Sequence, residues 1–359
     1  MRILCFLPDF GGGGAQRTLI NLSAAFGQAG HDVTLAAAQP DGPARAWVDP
    51  KVRTMAAGPG QLRNALFPLG RMIREERPDV ILSSVLDANI GAVAARALAG
   101  RPRPKLVVRE TNSHRARGDI GAIRQQLTRL AYPRADAVVA LSEGVRQELI
   151  EDYGLAPNAV VTIHNPVEFD ALAAEARKAP PPPLAKNGPW IMGVGRLIRQ
   201  KGFDRLIRAV AALNRPEVQL VLVGEGPDRE ALATQARELG VALHMPGFVR
   251  QPVHWLAHAD LFVLSSRWEG FGHVIVEAMA AGAPVAAFDC PHGPRDIIKN
   301  RVNGLLVPDG EEAALTRAMA ELLDDRDLAK RLAASATKDA ARFSSAAIAA
   351  QYLKLFSGL

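Results

Sequence analysis

The sequence predicts an α/β protein of two Rossmann-like domains that face each other across an interdomain cleft. Three observations carry this reading. The chain has 359 residues, more than one ordinary hydrophobic core encloses. Short apolar runs alternate with longer amphipathic ones along most of its length. One Pro-rich, non-periodic segment, KAPPPPLAKNG at 178–188, interrupts that alternation. Strands that are apolar on both faces and separated by helices belong to parallel sheets covered on both sides. Such sheets bind ligands beyond the C-terminal ends of their strands.

In the first half RILCFL (2–7) reads as a strand, 15–29 as a helix and HDVTLAAA (31–38) as a second strand. After a less regular stretch come strand 79–84, helix 87–99, strand 105–110, helix 119–131, strand 136–142, helix 142–152 and strand 159–165. The pattern restarts with strand 190–195, helix 202–213, strand 218–224, helix 227–239 and strand 241–247. Strand 260–266, helix 272–281 and strands 283–289 and 304–308 follow, then helices 311–323, 325–342 and 345–357. The expected boundaries are a first domain over 1–170, a linker over 171–188 and a second domain over 189–342, with a last helix at 343–359.

Composition narrows the class. Cys5 and Cys290 both lie in apolar runs, which fits buried thiols and a reducing, cytoplasmic setting better than a disulfide or metal site. No apolar stretch reaches membrane-spanning length, and the run ILCFLP stops at a proline without a cleavage pattern, so neither a transmembrane helix nor a signal peptide is expected. The net charge is +6, and residues 101–136 alone hold nine basic side chains against Glu110, Asp119 and Asp136. That segment either attracts an anionic membrane surface or phosphates, or is a solvated arginine-rich face. It has no aromatic residue from 101 to 131, which argues against nucleic acid as a partner.

The chemistry-bearing motifs sit at strand ends. In WEGFGHVIVE (268–277) Glu269 lies in a loop and Glu277 lies within the following helix. The glycines at 270 and 272 let a ligand approach the helix N-terminus, whose free N–H groups suit phosphate or hydroxyl oxygens. In GVGRLIRQKGFDRLI (193–207) Arg196 and Lys201 flank a short loop before a helix, two cations suited to a diphosphate without a metal. The alternative for each motif is ordinary helix capping and a charged turn. PDFGGGGAQRTLINL (8–22) is a Gly-rich turn with no Walker lysine and a broken dinucleotide fingerprint. VVRETNSH (107–114) ends a strand in the basic segment.

GRLIRQKGFDRLIRAV, LVLVGEGPDREAL, HMPGFV, DLFVLSSRWEGFGHVIVEAMAAGAPV and NGLLVPDG, in this order over 190–308, resemble the donor half of family-4 retaining glycosyltransferases of the GT-B fold. The resemblance implies that Arg196 and Lys201 bind the diphosphate of a nucleotide sugar, that Glu277 binds the ribose and that Glu269 holds the transferred sugar. Backbone amides of Phe271, Gly272 and His273 would assist, and the backbone near Phe248 and Val249 would meet the base. Gly13, Gly14 and Gln16 occupy the family's Gly-Gly-x-Glu loop, with glutamine where glutamate is usual. Where many members carry His-Asp this chain has Arg109-Glu110-Thr111-Asn112, so the sugar and acceptor contacts fall to Glu110 and Asn112, or to His114. The last helix resembles the family's return helix, which packs on the first domain.

The expected activity is therefore transfer of a hexosyl or N-acetylhexosaminyl group, with retention, from a nucleoside-diphosphate sugar to a saccharide or lipid-linked acceptor. DCPHGPRDII (289–298) favours a UDP-sugar. No cofactor or metal is expected: the Asp325-Arg326-Asp327 triplet reads as a helix cap. The protein is expected in the cytoplasm, at most peripheral on the inner membrane face. A nucleotide-sugar epimerase, a non-catalytic nucleotide-sugar-binding subunit and a nicotinamide oxidoreductase are the rival readings, the last disfavoured by the broken fingerprint.

Overall fold

Two all-parallel sheets organise the computed structural model, which describes residues 1–58, 64–101, 103–111, 113–118 and 120–359. The chain divides into one unit of Met1–Pro166 with Ser345–Leu359 and another of Val167–Ser344.

The first unit runs β1 (Arg2–Asp9), α1 (Gly14–Gln28), β2 (Asp32–Gln39), β3 (Arg53–Ala56), α2 (Leu66–Glu76), β4 (Val80–Ser84) and α3 (Leu86–Ala99). It continues through β5 (Lys105–Glu110), α4 (His114–Arg117), α5 (Ala122–Ala131), β6 (Ala137–Ala140), α6 (Glu143–Tyr153) and β7 (Val160–Thr162). Its strand order is β3-β2-β1-β4-β5-β6-β7, so the winding reverses beside β1. Cys5, opposite Leu35 on one side and Leu82 on the other, sits at the centre of this sheet. Burial pushes its thiol up to about 12 against a smaller opposing contact with Ser23. Both cysteines are buried and free.

The second unit runs α7 (Phe169–Ala176), β8 (Trp190–Val194), α8 (Phe203–Ala211), β9 (Gln219–Val223), α9 (Arg229–Glu238), β10 (Ala242–Gly247) and α10 (Pro252–Leu256). Then come β11 (Leu261–Leu264), α11 (His273–Ala280), β12 (Val285–Asp289), α12 (Pro294–Ile297), β13 (Leu305–Pro308), α13 (Glu312–Asp324) and α14 (Arg326–Ala340). The order β10-β9-β8-β11-β12-β13 reverses beside β8. The loops after β8 and β11 therefore emerge side by side.

Three expectations are corrected. The less regular stretch before residue 79 contains β3 and α2. Pro68 and Gly70 conceal α2 in the sequence. Pro68 stands in its first turn, where the missing N–H has no intrahelical acceptor. Gly70 lies where a Cβ would come 3.2 Å from the Ala95 carbonyl, so α2 and α3 pack closely. Second, residues 171–176 are not linker: α7 buries Phe169 and Ala173 in the same core as Phe271 and Phe343. The second unit already begins at Val167, whose N–H donates to Phe343 O at 2.8 Å. The Pro-rich segment also holds to it, through Leu184 and through Asn187 N–H on Gln219 Oε1. Third, Arg109 does not belong to a solvated basic face, because it is fully buried. Among the described residues no helix is long and apolar enough to cross a membrane.

The last helix, α15 (Ser345–Gly358), belongs to the first unit. Its buried stripe is Ile348, Ala349, Tyr352 and Phe356. The Phe26 ring of α1 lies 6.2 Å from Tyr352 and 5.7 Å from Phe356. Replacing Phe356 by alanine is expected to destabilise the first unit by about 3–5 kcal/mol, read from the midpoint of urea unfolding.

Candidate active site

The loops leaving β8 and β11 are locked together by backbone packing and by charge. Gly224, just after β9 at φ 150, packs the loop there on the loop after β8, since a Cβ would lie 1.9 Å from Gly195 O. Gly202 opens α8 at φ 62, and a Cβ there would lie 2.1 Å from Ser265 O. Only glycine allows these loops to touch. Across the contact Arg267 N–H donates to Gln200 O at 2.8 Å, Gln200 Nε2 to Trp268 O at 3.0 Å and Ser265 Oγ to Lys201 O at 2.9 Å. The Arg267 guanidinium forks onto both oxygens of Asp204 at 2.7 Å. This contact, more than burial opposes it, holds the Asp204 carboxyl below its ordinary value.

Lys201 and Glu269 meet inside that frame. Lys201 Nζ donates to Glu269 Oε1 at 2.7 Å, and Ser266 Oγ donates to the same oxygen at 2.6 Å. Glu269 is only 6% exposed, yet its other oxygen, Oε2, accepts from no described residue. Cys290 is close by: burial first, and the Glu269 charge second, push its thiol well above the ordinary range.

The other residues singled out from the second half of the sequence lie in the loops after β8, β10 and β11 and in α11. Arg196, on the same loop as Lys201, is exposed and has no ion-pair partner among the described residues. Gly272 caps α11 at φ 97, His273 is its first residue, and Glu277 lies one turn further, half-buried. Phe271 is buried, edge-on to His273 at 5.4 Å and to Phe343 at 5.3 Å. Val249 packs on the same core, and beside it Phe248 is 79% exposed. Ser266 and the Arg267–Asp204 fork were missed from sequence, although two serines ending an apolar strand were a readable sign.

In the first unit Gly13 caps α1 and Gly14 is its first residue, both exposed. Asp9 organises this loop. Its Oδ1 accepts Gly11 N–H at 2.7 Å and Gln16 Nε2 at 2.9 Å. The glutamine is thus explained: a glutamate would set a second carboxylate against Asp9.

Glu110 and His114 lie together in a buried polar cluster; Asn112 lies outside the described residues. His114 is not a surface residue, since its side chain is buried with Nε2 3.1 Å from Glu110 Oε2 and Nδ1 against Tyr153 Oη. Tyr132 Oη donates to Glu110 Oε2 at 2.6 Å and Thr111 N–H to Oε1 at 2.8 Å. Burial opposes ionisation of Glu110, but His114, Tyr132 and Thr111 outweigh it and hold the carboxyl below its ordinary value. Burial, then the Glu110 charge, raises Tyr132 well above the phenol range. Glu148 closes the cluster, accepting His114 N–H at 2.5 Å, Arg115 N–H at 2.9 Å and Ser113 Oγ at 2.6 Å. Arg109 Nη1 donates to Ser84 Oγ at 3.0 Å, and Nη2 bonds Asn165 Oδ1.

Because the folded pKa of Glu110 is depressed, its contribution to stability is present above about pH 4.5 and fades as pH falls through the folded value. Glu110→Gln is expected to cost about 1–3 kcal/mol at neutral pH. The gap to the parent protein should narrow in acid, which denaturant melts at several pH values would show.

Two family models match: glycosyltransferase family 4 over residues 12–171 and glycosyl transferases group 1 over 175–339. A lipopolysaccharide core biosynthesis glycosyltransferase, LpsE of Rhizobium meliloti (strain 1021), is 30% identical over 356 residues, covering 96% of each chain. The N-acetylgalactosamine-N,N'-diacetylbacillosaminyl-diphospho-undecaprenol 4-alpha-N-acetylgalactosaminyltransferase of Campylobacter jejuni is 28% identical over 238 residues. That match takes in 66% of this chain and 64% of the relative, so the chain spans a little under two thirds of that protein's length. Among solved structures, HepE of Anabaena in complex with UDP superposes with a TM-score of 0.83 at 24% identity over all of both chains. Two parallel α/β units, a locked loop pair carrying Lys201 and Glu269, and a full-length relative at this identity place the chain in glycosyltransferase family 4, with the GT-B fold.

Proposed function

We propose that the protein transfers a hexosyl or N-acetylhexosaminyl group from a nucleoside-diphosphate sugar, with UDP as the favoured nucleotide, to a saccharide or lipid-linked acceptor in cell-surface glycan synthesis. The observation that carries this reading is the state of Glu269. One of its oxygens is fixed by Lys201 and Ser266, while the other accepts from no described residue. A carboxylate held in this way accepts a sugar hydroxyl without having to reorganise.

Lys201 has further donor capacity beyond its bond to Glu269, and Arg196, on the same loop, has no ion-pair partner among the described residues. Together they can meet the diphosphate as negative charge develops on it. Glu277 would take the ribose, the amides of Phe271, Gly272 and His273 the sugar or phosphate oxygens, and the exposed Phe248 ring with Val249 the base. Gly13 and Gly14 offer N–H groups at the start of α1. In the step proposed, the bond from the anomeric carbon to the diphosphate oxygen breaks, and the acceptor oxygen bonds to the same face. Its proton passes to the departing phosphate, so configuration is retained. These cations do the charge stabilisation, so no metal is required. Asp325, in the one Asp-x-Asp triplet, accepts Leu328 N–H at 2.8 Å and caps α14.

The names of relatives support a saccharide or lipid-linked acceptor: LpsE acts in lipopolysaccharide core biosynthesis, and the Campylobacter protein is named for a diphospho-undecaprenol substrate. Peripheral attachment to the inner membrane face is supported by α5, which turns Ile123, Leu127 and Leu130 outward and buries only Thr128 and Ala131.

Transfer from labelled UDP-sugars to a lipid-linked or oligosaccharide acceptor, with the product anomer read by NMR, tests the reading; an inverted linkage would overturn the same-face step. Lys201→Met is expected to lower turnover by roughly 10²–10³, and activity is expected to survive a chelator.

A further inference from the structure

At the N-terminal edge of the first unit's sheet, opposite the strand ends that carry Gly13 and Glu110, the surface opens into a cavity of about 670 Å³. Three separate chain segments supply its rim. Arg2 and Lys105 begin β1 and β5, Arg74 lies in the last turn of α2, Arg77 caps that helix, and Arg101 and Arg103 follow α3. The floor is apolar, from Ile73, Pro78, Ala99 and Pro104.

The rim is not neutralised from within. Asp79 is the only carboxylate among the lining residues, and it is taken up by Arg2, whose N–H donates to it at 2.7 Å. The two glutamates of the last turn of α2 are drawn elsewhere, Glu75 to Arg71 at 2.7 Å and Glu76 to Arg53 at 2.5 Å. Lys105 reaches Asp136 only at 4.0 Å. Among the described residues Arg74, Arg77, Arg101 and Arg103 have no ion-pair partner. A helix C-terminus favours a nearby cation, which accounts for Arg74. It does not account for six cations around one concavity, where each raises the energy of the others.

Arg77 adds a second, independent sign. It holds a left-handed conformation, φ 47 and ψ 55, at a helix end where glycine fits without strain. An arginine kept there puts a guanidinium on the rim at a cost in backbone energy.

We propose that this basin is an anion site for a ligand carrying two or more phosphate groups, delivered either as a soluble phosphorylated compound or as the headgroup of a lipid. Guanidinium forks match phosphate oxygens bidentately, and several converging forks select a polyphosphorylated ligand over a single anion. The site lies at the other edge of the sheet from Gly13 and Glu110 and does not depend on the sugar-transfer reading.

The test uses the full chain with UDP present, so that the donor side is occupied. Tripolyphosphate binding is followed by calorimetry, and cosedimentation is measured with phosphatidylcholine vesicles with and without cardiolipin, whose headgroup carries two phosphates. The triple variant Arg74→Gln, Arg101→Gln, Arg103→Gln, all at exposed positions, is expected to bind roughly tenfold or more weakly to one of these probes. Loss toward tripolyphosphate assigns a soluble ligand, and loss confined to the anionic vesicles assigns a headgroup. Equal binding of parent and variant to both probes overturns the proposal. Arg77→Gly is expected to weaken binding while leaving the melting temperature unchanged or raised. A lowered melting temperature would assign Arg77 to the helix end and count against the site.

Discussion

Lys201 and Glu269 meet at 2.7 Å with side chains 19% and 8% exposed, and a charge pair so far withdrawn from water survives only under conditions. Its desolvation must be offset by close geometry and by hydrogen bonds to the atoms the pair does not use. Ser266 shares the Glu269 oxygen, and Ser265 holds the backbone of Lys201. The Arg267–Asp204 fork and the contacts of Gln200 keep the two loops in register. The glycine at 202 is a consequence of that constraint, because a Cβ there would push the loops apart. The site is therefore assembled in the free protein, the condition under which fixed charges stabilise a departing group most effectively.

Carboxylates in the first unit do a different job. Glu148 and Asp9 are consumed by local donors: Glu148 gathers two backbone N–H groups and a hydroxyl at the start of α4, and Asp9 gathers Gly11 and Gln16 before α1. Such groups order loops and have little left for a ligand. Glu269 differs because both of its donors fall on one oxygen. That asymmetry leaves Oε2 as an acceptor that no described residue uses.

Most strands and helices were legible because short apolar runs such as LVV and LVLV, set between helical segments, read as inner strands of a parallel sheet. α2 escaped because Pro68 and Gly70 are breakers everywhere except in a first turn and at a close helix crossing, and tertiary context alone supplies those. α7 escaped because its apolar residues adjoin the prolines that read as linker, while its partners Phe271 and Phe343 lie far along the chain. Lys201 and Glu269 were singled out by spacing and chemistry, but no local pattern shows that residues 68 positions apart form an ion pair. Arg109 shows the opposite failure: a residue counted with a charged surface is buried in the core, bonded to Ser84 and Asn165.

The departure from the family's His-Asp pattern is the place where structure changes the argument most. Glu110 and His114 are held against each other, with Tyr132 on the acid and Tyr153 on the other ring nitrogen. Burial opposes ionisation of the carboxyl, but contacts with His114, Tyr132 and Thr111 outweigh it. A histidine with both nitrogens engaged can contact a sugar only by giving up one of them. The acid has the same limit on its Oε2, since Tyr132 already occupies it. The cluster therefore acts first as a buried scaffold that fixes the end of β5 and the start of α4. Any acceptor contact from it must be made by exchange of a partner, in contrast to the open oxygen of Glu269.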